Sequence, residues 1–218
     1  MELIKENIFL IKNKMIFSSN TYIYKFKLNN ECIIVDPGFD TELIDTGIKQ
    51  NNLIPIAIIS THGHFDHIGS AAFFKNKYLI PFYLHEGDLK IAQSANFFLK
   101  IAGINHKIEI PKPDKLLKGK TEKVILNNFE LSVFNFPGHS SGSCIIKHEN
   151  NLFTGDIIYK NGLGFNHLPG EDKNKIKQSI LEIFDIFPID CLVLPGHGHC
   201  ESLINIKNNN SDLIKFLN

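Results

Sequence analysis

Arginine is absent from the 218-residue sequence, and all 23 basic side chains are lysine. Any anion site must therefore be built from lysine, backbone amides or a metal, because no planar guanidinium fork is available. Charge of either sign is not in excess: 23 basic and 23 acidic groups give a formal net charge of zero. That excludes the positive footprint on which nucleic-acid affinity rests. No apolar run approaches the ~20 residues that a membrane-spanning helix needs, and residues 1–14 lack the basic start, apolar stretch and small-residue cleavage site of a secretory leader. Cysteine is scarce and unclustered: Cys32, Cys144, Cys191 and Cys200 contain no CxxC pair, so they read as reduced thiols. With 43% hydrophobic residues the chain is not disordered. The expectation is a cytoplasmic globular protein, folded as a single domain over residues 1–218, with no nucleic-acid or membrane partner.

Along the chain, β-rich runs at 7–11, 21–27 and 31–35 are separated by turn signals such as Asn29-Asn30. A helix is expected over 41–49, with Ile44 and Ile48 on one face, then a strand over 56–59, a helix over 67–75 and a strand over 81–84. Residues 88–102 have helical periodicity, whereas Pro111-Lys112-Pro113 and Lys118-Gly119-Lys120 read as loop. Strands follow at 123–126, 129–136, 143–147 and 151–154. An amphipathic helix over 173–187 carries Ile176, Ile180, Ile183 and Phe187 on one side. A core strand at 191–194 and short helices at 201–207 and 211–217 complete the reading.

Three apolar strands end in polar, glycine-flanked loops. Ile56–Ile59 runs into Thr61-His62-Gly63-His64-Phe65-Asp66-His67, Leu152–Thr154 into Gly155-Asp156, and Leu192–Leu194 into Pro195-Gly196-His197. Ligand sites gather beyond strand ends, where loops can turn side chains inward. A helix cannot place His62 and His64 on one face, but a loop turning at Gly63 can aim both at one point, while Asp66 and His67 serve a second. Imidazole nitrogen and carboxylate oxygen are the donors that zinc and similar divalent ions prefer. His139, in a Pro-Gly-His-Ser turn, Asp156 and His197 are further candidate ligands. His85, His106, His148, His167 and His199 lack ligand spacing and read as structural or solvent-facing, with His167 and His199 close to the motif loops.

The THGHFDH run resembles the HxHxDH signature of the metallo-β-lactamase-fold hydrolases. The likeness extends through Val35-Asp36-Pro37-Gly38, the residues 136–143, Phe153-Thr154-Gly155-Asp156, Leu168-Pro169-Gly170 and Pro195-Gly196-His197-Gly198. Within that superfamily the chain is most similar to the glyoxalase II-like (hydroxyacylglutathione hydrolase-like) group, in its short form without a long C-terminal helical extension. The resemblance implies an α+β fold, a four-layer αβ/βα sandwich of two mixed β-sheets face to face with helices outside. It also implies two zinc ions, with iron or manganese as possible replacements. His62, His64 and His139 would hold the first metal, Asp66, His67 and His197 the second, and Asp156 would bridge them. Asp66 would in addition orient the nucleophile, a hydroxide shared by the metals.

The implied activity is hydrolysis of acyl-thioesters such as S-lactoylglutathione, by a monomer or small homo-oligomer acting on a small-molecule substrate. A thiolate leaves without needing a separate general acid. Two readings stand beside it: a mononuclear iron persulfide dioxygenase of the same superfamily, and a non-catalytic metal-bound binding protein. The short relatives carry Gly-Arg-x-Asp before Leu-Pro-Gly, where this chain has Gly164-Phe165-Asn166-His167, and Pro-Thr after the last His-Gly, where this chain has His199-Cys200-Glu201. Tyr159 and Lys160 are the candidate substitutes for the missing substrate contacts.

Overall fold

The computed structural model describes residues 1–14, 17–27, 29–165 and 170–218. Within them the chain divides into two compact units, Met1–Leu117 and Lys118–Asn218, each an α+β arrangement on one mixed sheet. No helix among the described residues is long and apolar enough to cross a membrane.

In the first unit seven strands lie in sequence order: β1 (Glu2–Lys5), β2 (Ile8–Lys12), β3 (Asn20–Lys25), β4 (Glu31–Val35), β5 (Ile54–Ile59), β6 (Phe82–His85) and β7 (Lys115–Leu117). The β1–β4 pairs are antiparallel and the β4–β7 pairs parallel, so every connection after β4 must be a crossover. Helix α1 (Thr41–Gln50) makes the first of them. Helices α2 (Phe65–Ile68) and α3 (Ala71–Tyr78) make the second, and a 3₁₀ turn at Glu86–Asp88 with α4 (Leu89–Gln93) and α5 (Ala95–Ile101) the third. Strand β4 buries Cys32, Ile33, Ile34 and Val35 in succession, as a central strand next to a parallel neighbour does. Burial pushes the Cys32 thiol up to about 12, leaving it inert at neutral pH.

The second unit holds six strands in the order β13-β12-β11-β10-β9-β8. They are β8 (Thr121–Leu126), β9 (Phe129–Asn135), β10 (Cys144–His148), β11 (Asn151–Gly155), β12 (Leu192–Pro195) and β13 (Glu201–Ser202). Only β11 and β12 pair in parallel, and α6 (Lys173–Ile186) supplies their crossover. Asp172 caps α6 by accepting from the Asn174 and Lys175 amides at 3.0 and 3.1 Å. The expected face is buried: Ile176, Ile180, Ile183 and Phe187 pack with Phe136, Ile145, Leu152 and Val193. Helices α7 (Leu203–Asn209) and α8 (Ser211–Leu217) meet at Asn210. Its side-chain amide donates to the carbonyls of Tyr159 and Gly162 at 3.1 and 2.9 Å while its oxygen caps α8.

Several expected elements differ in detail. The helix expected over 67–75 is broken after Ile68, because Ser70 is held to the preceding turn. Its hydroxyl donates to the Gly38 carbonyl at 2.6 Å and its amide to that of Pro37 at 3.0 Å. The 88–102 helix is divided at Ser94 into α4 and α5. Glu201 and Ser202 are extended rather than helical because they pair with Val193 and Leu192. Strands β1 and β7, at the two edges of their sheet, were not expected; each is short and lacks alternation. None of the four cysteines forms a disulfide.

On α1, Asp45 accepts hydrogen bonds from Lys49, Lys77 and Tyr78. Burial works against its ionisation, but these three donors outweigh it and hold the carboxyl at about 2. A depressed carboxyl stabilises the fold fully above its unfolded value and loses that contribution as the pH falls towards 2. Asp45→Asn is therefore expected to lower the unfolding free energy by about 1 kcal/mol at pH 7. The deficit should shrink as the pH falls below 4, which urea unfolding across that range measures.

Candidate metal centre

The first unit contributes the loop after β5. The strand stops at Ile59, Ser60-Thr61 turns, and the chain passes His62-Gly63-His64 before α2 starts at Phe65. His62, His64, Asp66 and His67 are all buried. The His62 ring lies 4.7 Å from that of His64 and 4.1 Å from that of His67, centroid to centroid. Asp36 organises the group from the end of β4. It takes a positive φ of 52°, which Asp tolerates better than most residues, and lies buried. One of its oxygens accepts from the Thr61 amide at 2.7 Å; the other accepts from the Thr61 hydroxyl at 2.6 Å and from His67 Nδ1 at 3.0 Å. Thr61 has spent its hydroxyl proton on Asp36, so the 3.1 Å contact with His62 Nδ1 has the imidazole as donor. Both rings therefore carry their proton on Nδ1 and present the Nε2 lone pair.

The second unit contributes three strand ends. His139 follows β9, Asp156 follows β11, and His197 follows β12. The last two are tied together where the Gly196 amide donates to the Gly155 carbonyl at 2.8 Å. His139 Nδ1 donates to the carbonyl of Gly164 at 2.7 Å, which can only accept, so this ring too presents Nε2. The Nε2 atoms of His139 and His197 lie 3.6 and 3.5 Å from the same oxygen, Oδ2 of Asp156. Gly164 sits at the junction: a Cβ there would lie 2.0 Å from the Asp156 carbonyl oxygen, so no larger residue can bring its carbonyl to His139.

These distances are too long for good hydrogen bonds. They match donors that share a cation, since ligands held at 2.0–2.1 Å in a tetrahedral shell stand about 3.3–3.4 Å apart. In the first unit the Asp66 Oδ2 to His67 Nε2 distance, 3.5 Å, is of the same kind. Charge points the same way. Asp36, Asp66, Asp88 and Asp156 are buried, while no lysine is buried among the described residues. Carboxylates out of water need compensation, and divalent cations supply it where no cationic side chain does. The donor set fits a divalent metal.

The seven candidate ligands thus lie in the loops that follow strands or, for Asp66 and His67, in the helix that such a loop enters; all are buried except His197, which is half-buried. The ring of Tyr159 stands edge-on to that of His197, centroids 6.4 Å apart. Lys160 reaches Glu201 at 3.1 Å. Hydrogen bonds from Asn205, the Ser202 amide and Lys160 hold the Glu201 carboxyl down at about 2. The remaining histidines are placed structurally: His85 accepts from the Gly87 amide at 3.2 Å, His106 is edge-on to Phe39, His148 stacks on Phe129, and His199 is exposed. His167, with Asn166, Leu168 and Pro169, lies outside the described residues. Asp36, which the sequence shows only as part of a turn, holds Thr61 and His67 of the ligand loop. In the sequence it stands only in the Asp-Pro-Gly that follows an apolar strand, which reads equally as an ordinary turn.

Residues 16–199 match the family model of the metallo-beta-lactamase superfamily. A Bacillus subtilis protein named "Probable metallo-hydrolase YqgX" is 36% identical over 174 residues, 78% of this chain and 81% of its own. "Hydroxyacylglutathione hydrolase GloC" of Haemophilus influenzae is 27% identical over 180 residues, 81% of this chain and 84% of its own. The crystal structure of BLEG-1 B3 metallo-beta-lactamase superposes with a TM-score of 0.84 at 31% identity, covering 94% of this chain and 99% of that one. That of TTHA1623 in a di-iron-bound form gives 0.82 at 27% identity, covering 93% and 98%. The metallo-beta-lactamase fold is thereby the fold of this chain.

Gly164→Ala should displace the carbonyl that fixes His139 and press on Asp156 at once. Cobalt affinity measured by competition with a chromophoric chelator is expected to fall about 10- to 100-fold.

Proposed function

Since the chain belongs to the metallo-beta-lactamase superfamily, whose members here include metallo-hydrolases, we propose that it is a binuclear metal-dependent hydrolase of acyl-thioesters such as S-lactoylglutathione. In this reading the two units act as one catalytic domain. His62, His64 and His139 would hold one ion and Asp66, His67 and His197 the other, with Asp156 as a ligand available to both. The observation that carries the reading is the placing of Asp156 Oδ2 at nearly equal distance from His139 and His197, as a bridging carboxylate requires. The relative named as a hydroxyacylglutathione hydrolase supports the thioester part. The di-iron neighbour supports iron beside zinc or manganese as the metal.

Two divalent ions in such a site supply a water of lowered pKa and a Lewis acid for the scissile carbonyl. The protein's part is to hold and orient. Asp36 and Gly164 keep the proton of His67 and His139 on Nδ1, so that both rings bind through Nε2. Asp66, on the first turn of α2, offers a carboxylate that aligns the attacking water as well as binding metal. Tyr159, beside His197, and Lys160, on the loop after Asp156 and paired with Glu201, are the side chains that would contact the substrate. The leaving thiolate is stable at neutral pH and needs no proton from the protein.

Protein loaded with zinc or iron should bind two ions per chain and hydrolyse S-lactoylglutathione. Asp66→Ala should lower kcat ~100-fold or more. One iron per chain with oxygen uptake on a persulfide substrate would transfer the chain to the dioxygenase reading. No hydrolysis across glutathione and coenzyme-A thioesters would remove the thioester assignment.

A further inference from the structure

Asp88 takes no part in the ligand set, yet it is wholly buried beside it, at the junction of the 3₁₀ turn and α4. Its Oδ2 accepts from the Gly63 amide at 2.8 Å. The two backbones are in close contact as well: a Cβ on Gly63 would lie 2.8 Å from the Asp88 carbonyl oxygen and 3.1 Å from the Asp88 Cβ. On the other side of His62, Asp36 accepts from the Thr61 amide. The Ser60–Thr61 and His62–Gly63 peptide groups, on the two sides of His62, are thus each bound by a buried carboxylate reaching in from a different strand end. Gly63 without such a bond would leave the His62–His64 pair on a freely rotating joint.

We propose that Asp88 is a positioning residue: by binding the Gly63 amide it sets the relative aim of the metal ligands His62 and His64. The inference rests on the reading of those two histidines as ligands of one ion. A bond of 2.8 Å from a peptide N–H to a buried side-chain oxygen is directional, so it can fix the Gly63 peptide plane against the pull of an entering cation. The acceptor is itself held by the turn that carries it, which His85 orders by accepting from the Gly87 amide. What the metal site needs from position 88 is an acceptor oxygen at this point rather than a ligand.

Three variants test this in the metal-free full chain titrated with cobalt, a measurement independent of turnover. Asp88→Ala removes the acceptor, Gly63→Ala pushes the two backbones apart, and Asp88→Asn keeps an oxygen of the same reach. The expected result is cobalt affinity lowered about 10- to 100-fold with an altered visible spectrum in D88A and G63A. D88N should stay within a fewfold of the parent and keep its spectrum. If D88A fails to fold, G63A against D88N carries the same contrast. Parent-like affinity and spectrum in D88A and G63A would overturn the proposal, and so would a D88N as impaired as D88A, since charge would then be what matters. A parent protein that binds no cobalt would instead overturn the metal reading itself.

Discussion

Four carboxylates are buried in a chain that, among its described residues, buries no lysine. That electrostatic debt organises the candidate centre. Water cannot solvate these groups, and hydrogen bonds from amides, hydroxyls and imidazoles satisfy their geometry without cancelling their charge. Asp66 in the first unit and Asp156 in the second each stand beside imidazole nitrogens of their own unit at the separations of donors around a cation. The other two, Asp36 and Asp88, fasten the backbone of the loop that carries His62 and His64. Each unit thereby offers donors of the kind that a divalent cation would compensate.

The arrangement also shows how a sheet becomes a site. Strands β4, β5, β9, β11 and β12 each run into a loop that carries a candidate ligand or its holder, with buried apolar residues of the strand behind it. The core sets where each strand stops, and tight turns at the strand ends set the direction of the next side chain. Hydrogen bonds then remove the remaining freedom: Nδ1 of His67 and of His139 are both committed to protein acceptors, so each ring can meet a metal through one atom only.

Much of this was legible in the sequence because metal chemistry constrains residue type and spacing together. Four candidate ligands within six positions after an apolar strand have few other uses, and α6 announced itself by its 3.6-residue period. The outer layer was harder to read. Asp36 and Asp88 act through contacts with residues 25 to 31 positions away, and no local pattern distinguishes them from turn-forming aspartates. The break between α2 and α3 was hidden for the same reason, since the Ser70 bonds that cause it go back to Pro37 and Gly38. The edge strands β1 and β7 carry too few residues for alternation to show.

The bonds from Asn210 give the C-terminal helices a role beyond packing. Through them the start of α8 is fastened to the loop that follows Asp156 and bears Tyr159 and Lys160. Anyone trimming this protein for crystallisation, or grafting its centre onto another scaffold, would have to carry that distant asparagine along, because the loop after Asp156 is anchored from the junction of α7 and α8.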